Sequence, residues 1–142
     1  MKLGGSRLIA LLLLTASIAG CAPALQPLLP GTQVPRLVGK WEGIWSGTMT
    51  HPMILNVTEQ KDHRVSGTVT YLPGGALTRE VTDPMTGTVG LVAGKMVLVV
   101  NVGPAGGATD DFEFSFVGSD KLEGSGSGRR MIHRGPVSLT PR

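Results

Sequence analysis

The chain reads as an all-β protein, an antiparallel up-and-down meander of about eight strands closed into a small barrel. Three observations lead there. From about position 39, short runs alternate apolar and polar residues, the period of a half-buried strand. Glycine is abundant, at 21 of 142 residues, and Gly-containing turns separate the runs. No helical periodicity of useful length follows Cys21. Consecutive antiparallel strands joined by short turns form a meander, and closing it removes the exposed edges.

The first twenty residues stand apart. Lys2 and Arg7 precede an apolar run over residues 8–19, and small residues close it. That is the layout of a secretory signal. The run is too short for a spanning helix, which needs about 20 apolar residues. Ile18-Ala19-Gly20-Cys21 resembles the lipobox of bacterial lipoproteins. The resemblance implies a diacylglyceryl group on the Cys21 sulfur, cleavage just before it and acylation of the new N-terminus. Two acyl chains anchor a protein stably, where one holds it only marginally. Cys21 is the single cysteine, so no disulfide forms within the chain, and acylation accounts for the odd thiol. Ala22 stands where lipoproteins retained at the inner membrane often carry aspartate, which favours the outer membrane. The expected organisation is a signal peptide over 1–20, a lipidated, Pro-rich tether over 21–38 and a β-barrel domain over 39–142.

Cleavage changes the charge balance. The precursor is +3, with 13 Lys and Arg against 10 Asp and Glu. Losing Lys2 and Arg7 and counting the terminal carboxylate leaves a chain close to neutral. No basic helix or aromatic nucleic-acid motif accompanies the high isoelectric point, so nucleic acid is not an expected partner. Arg129-Arg130 with Arg134 reads as a solvated basic loop.

Pro23, Pro27, Pro30 and Pro35 prevent a helix over residues 22–38 and favour extended structure reaching about 50 Å at about 3.1 Å per residue. Leu25, Leu28 and Leu29 qualify that reading, since they suit docking on the domain or insertion among headgroups. Strand one is expected over 40–49, with Trp41, Gly43, Trp45, Gly47 and Met49 on one face. Strand two covers 52–59, with Met53, Leu55 and Val57 together. The polar turn 60–63 leads to strand three, 64–72, where Val65, Gly67, Val69 and Tyr71 alternate with Ser66, Thr68 and Thr70. Residues 73–84 lack a strand pattern and read as a loop. Strand four is expected over 85–92, and Ala93-Gly94 turns into strand five, 95–102. There Met96, Leu98, Val100 and Val102 share a face, while Val97 and Val99 imply cover on the other. Strand six, 111–117, carries all three phenylalanines on one face, Phe112, Phe114 and Phe116. Strand seven covers 121–128, and strand eight lies within 132–140.

Gly39-Lys40-Trp41, opening the first strand, resembles the G-x-W element of the calycin superfamily, which includes lipocalins and avidins. The resemblance implies that Trp41 plugs one barrel end beneath a basic residue from the last strand, Arg142 or Arg134. It does not carry biotin binding, because avidin pockets draw several tryptophans from different strands. Here Trp41 and Trp45 are the only two.

The chain offers no obvious chemistry. His51, His63 and His133 lack ligand spacing, and no metal or cofactor is expected. Asp110-Asp111 reads as a turn cap, with Glu113 pointing outward. Ser125-Gly126-Ser127-Gly128 has no following helix to make a nucleophile elbow. No set of nucleophile, base and orienting group stands out, so no enzyme is expected. The expected function is that of a membrane-anchored envelope protein whose barrel is a binding or structural module. Met53, Leu55, Val69, Tyr71, Met96, Leu98, Phe112 and Phe114 are the candidate lining of a site for a small apolar ligand, or plain core. Inward glycines at 43, 47 and 67 either leave space or permit tight strand coiling. The alternative is a protein-binding module, such as a protease inhibitor or an envelope-complex subunit. In a solid barrel, function would fall to loops 73–84 and 103–110.

Overall fold

The computed structural model describes residues 23–104, 107, 110–129 and 133–142. Residues 1–22, on which the expected signal peptide and the lipidation site Cys21 fall, lie outside the described residues. Eight antiparallel strands follow one another around a closed barrel: β1 (Gly39–Ser46), β2 (Thr50–Lys61), β3 (Arg64–Tyr71), β4 (Val81–Val92), β5 (Lys95–Val102), β6 (Asp110–Val117), β7 (Lys121–Gly128) and β8 (Arg134–Pro141). The last pairs with the first, Trp41 opposite Pro141 and Trp45 opposite Val137. The meander and its closure are those the alternation implied.

Most boundaries fall within two residues of expectation, β2 running two longer at each end, and the two larger differences have physical reasons. β1 ends at Ser46, because residues 47–49 bend out of the strand before β2 can return. β4 starts at Val81, so residues 81–84 are strand and not loop. Thr82, Asp83 and Pro84 hide it in the sequence. Pro84 is tolerated because its carbonyl, and with it the missing N–H, faces Gly103 just past the end of β5. The expected start of strand eight at 132 lies outside the described residues; β8 runs from Arg134.

The turns at one end are tight. Ala93 and Gly94 both have positive φ, +50° and +76°, as a two-residue hairpin loop demands. The Asp62-His63 turn, the 118–120 turn, the start of β1 and the end of β8 share this end with Trp41. Loops 47–49 and 72–80 lie at the other end, beside Trp45, where β5 and β7 end and β6 and β8 begin.

Residues 23–38 do not stand free as an extended tether. Gln26 exchanges two backbone hydrogen bonds with Leu91, each 2.8 Å. Leu28 and Val34 pack against the core, and Leu37 is 1% exposed within it. The segment is a strap that closes the Trp41 end. A bulge in β2 helps to hold it. The register slips between Val57 and Glu59, which brings Gln60 opposite inward-facing Val65. The Gln60 side chain then accepts from the Leu37 N–H at 2.8 Å and donates to the Pro35 carbonyl at 2.9 Å. The outer face of β5 is covered as expected at Val97, which is buried. Its neighbour in register, Gly90, carries Leu25 of the strap.

Candidate functional site

The alternation sends Trp45, His51, Tyr71, Asp110 and Phe112 inward at the loop end, and His133 joins them just before β8. Trp45 is the hub. Its ring centroid lies 4.4 Å from His133 and 4.9 Å from Phe112, both edge-on, and 6.1 Å from His51. His51 and His133 meet at 4.8 Å, also edge-on. The Tyr71 hydroxyl donates to Asp110 Oδ2 at 2.6 Å, a short bond of the charge-assisted kind.

Glycines give the cluster its room. A Cβ at Gly47 would stand 2.6 Å from His133 Cε1, and one at Gly128 would stand 2.8 Å from Asp110 Oδ1 and from Trp45 Cη2. A side chain at either position would force these neighbours to shift, so glycine is what lets the cluster close as it does.

The cluster is buried and polar at once. His51 and His133 are 0% and 2% exposed. Trp45 Nε1, both His51 ring nitrogens and His133 Nε2 have no hydrogen-bond partner among the described residues. Each such atom costs about 1–3 kcal/mol of lost hydration. Burial holds the His51 imidazole below its ordinary pKa, and the neighbouring His133 lowers it further; Asp110 pulls the other way. His51 therefore stays neutral at neutral pH. Among the described residues no three His, Cys, Asp or Glu side chains converge as metal ligands.

The sequence reading placed these residues differently. His51 and His133 have no motif spacing, and closure of the meander is what brings them together. Asp110 is not an exposed turn cap; it is buried against Tyr71. Parity held the missing signal. His51 continues the inward series of Met53 and Leu55, and Asp110 continues that of Phe112 and Phe114. His63 lies exposed at the opposite end. Asp111 accepts from Asn101 Nδ2 at 2.7 Å, and Glu113 points outward as expected.

The candidate lining is brought together. Met53, Leu55, Val69, Tyr71, Leu98, Phe112 and Phe114 are buried in one core, and Met96 packs half-buried against it. Phe112 and Phe114 stack at 5.8 Å. The inward glycines leave little space. A Cβ at Gly43 would come within 1.7 Å of the Ser138 carbonyl oxygen, and one at Gly67 within 1.9 Å of that of Asn56. They mark strands coiled tightly on one another. Grooves do occur on the outside, for example between Ile44, Glu123 and Pro136.

Trp41 is buried at the other end, where its Nε1 donates to the Leu37 carbonyl at 2.9 Å. The contact over it that the structure records is from the strap. Arg134 lies at the wrong end of β8, opposite Ser127. Arg142 lies at the right end, but its guanidinium pairs with Glu42 at 2.9 Å. No protein family, curated protein or solved structure matches the chain.

Proposed function

We propose that the chain is a non-enzymatic lipoprotein of the bacterial envelope, anchored through Cys21, whose barrel is a solid scaffold for a protein-binding surface. The observation that carries this reading is the core itself. The side chains that would line a ligand site, Met53, Leu55, Val69, Leu98, Phe112 and Phe114, are buried together in one hydrophobic cluster. A scaffold of that kind leaves recognition to loops 72–80 and 103–109, which connect strands at the end remote from the strap.

A second reading, a carrier of a small apolar ligand, draws on the run of apolar side chains along the inward face, among them Met53, Leu55, Val69, Leu98, Phe112 and Phe114. Thermal melting against fatty acids, sterols and aromatic metabolites separates the two. A ligand at a hundredfold excess over its Kd would stabilise the fold by about 2.7 kcal/mol. The scaffold reading expects no compound to raise the Tm, and Val69→Phe to destabilise by about 1–3 kcal/mol through overpacking. A compound that raises the Tm, with Val69→Phe tolerated and blocking it, overturns the scaffold in favour of the carrier. Fatty-acid labelling that fails on the wild type and Cys21→Ser alike removes the anchor.

A further inference from the structure

Building on the lipoprotein reading of Cys21, we propose that the barrel sits end-on against the membrane, its Trp41 end forming a contact surface for anionic lipid headgroups.

The length of free chain argues for this first. Gln26 is fixed by two hydrogen bonds to Leu91, one residue before the end of β4. Four residues, or five Cα–Cα steps, separate it from Cys21. Even fully extended they span at most about 18 Å. The strap has consumed the length that would otherwise lift the domain away, so the rim carrying the 93–94 turn stays near the bilayer.

What that rim exposes suits a lipid surface. The strap turns Leu28 and Leu37 toward the core and leaves Leu29 71% exposed; Val38 and Val117 are exposed on the same rim. Apolar side chains so placed can enter the boundary between headgroups and acyl chains. Around them stand the exposed cations Arg36, Lys40, Lys61, Arg64 and Lys95, none with an ion pair recorded among the described residues. Glu59, Asp62 and Asp120 share the rim and reduce the excess without cancelling it. A groove beside the 62–63 turn is lined by Lys61 and Arg64 together with Glu59, His63 and Ser66, so two cations and one carboxylate border a recess open to a phosphate. The loop end, with the Trp45 cluster, then faces away from the lipid and toward other molecules.

Quenching by headgroup nitroxides in vesicles reports the orientation. Lipidation occupies the single native cysteine, so Leu29→Cys and Arg79→Cys each introduce one labelling site, at opposite ends. In lipidated protein on phosphatidylcholine vesicles containing phosphatidylglycerol, the probe at 29 should be quenched several-fold more than that at 79. Lys61→Gln and Arg64→Gln should each lower the ratio of docked to undocked protein about fivefold, the factor for about 1 kcal/mol per basic residue near an anionic surface. With the lipid on Cys21 confirmed by mass, equal quenching at both sites, or stronger quenching at 79, overturns the orientation and leaves the lipoprotein reading standing. Mature protein without lipid overturns the lipoprotein reading and this inference with it.

Discussion

Trp41 and Trp45 lie four residues apart on β1, on the same inner face, and meet opposite circumstances. Trp41 finds a carbonyl for its indole N–H, because the strap folds beneath it and Leu37 is held by Gln60. Trp45 finds rings: His51, His133, Tyr71, Phe112. Among the described residues its N–H has no hydrogen-bond partner, nor do three imidazole nitrogens beside it. One end of the barrel is thus built for closure, with its polar atoms matched. The other holds buried polarity at a cost to stability, in the manner of sites kept for reasons besides folding. The difference teaches that a residue's place along a barrel strand, and not its type, settles whether its polar atom is satisfied.

Substitutions at the two ends should break or sharpen that contrast. Trp41→Ala should be the most damaging, at about 3–5 kcal/mol, since it empties a large aromatic site and frees the strap. Chemical denaturation measures it, and a loss below about 1 kcal/mol would show that the strap, not the indole, closes this end. Tyr71→Phe removes the donor to buried Asp110 and should cost about 1.5–3 kcal/mol, the range for a bond to a charged acceptor. Little or no loss would mean that Asp110 does not depend on Tyr71. Gln60→Ala deletes both clamps on the strap and should cost about 1–2 kcal/mol. Hydrogen exchange should then speed at the Leu37 amide while the Trp45 end keeps its protection; uniform acceleration would refute local clamping.

The smallest effect at neutral pH should come from His51→Leu. It swaps an unpartnered imidazole for an apolar side chain, so stability at pH 7.5 should change by less than about 1 kcal/mol or rise. Acid reveals the difference. The folded pKa of His51 lies below 6.5, so above that value both folded and unfolded forms are neutral and the group contributes no pH dependence. As pH falls below about 6.5 the unfolded chain binds the proton first, and stability declines. Denaturation midpoints at pH 7.5, 6 and 5 should fall in the wild type and fall less in His51→Leu. A wild-type profile flat through this window, or one unchanged by the substitution, would rule out His51 as the source.

Much of the fold was legible because a half-buried strand advertises itself by alternation. Val65, Gly67, Val69 and Tyr71 needed no tertiary information. Where a strand's polar residues and a proline meet near a loop, as at Thr82 to Pro84, the signal fades, and pairing with β3 supplies what alternation does not. The strap was hidden for another reason. Prolines forbid a helix but leave open what an extended chain lies against, and a single bulge that turns Gln60 inward is invisible in the sequence. The candidate apolar lining was readable as one face. The polar cluster was not, because two histidines 82 positions apart become neighbours only when β8 returns to β1.

That return sets the order of assembly. The bond between β1 and β8 joins segments nearly a hundred residues apart, whereas every other pairing is a neighbouring hairpin. Hairpins form in about 1–10 μs, but closure must await the whole chain and the loss of its freedom. Until β8 arrives, the growing sheet has two bare edges, one on β1 and one on the newest strand, each able to pair with another chain. A chain that emerges strand by strand therefore remains adhesive until β8, Arg134–Pro141, has paired with β1.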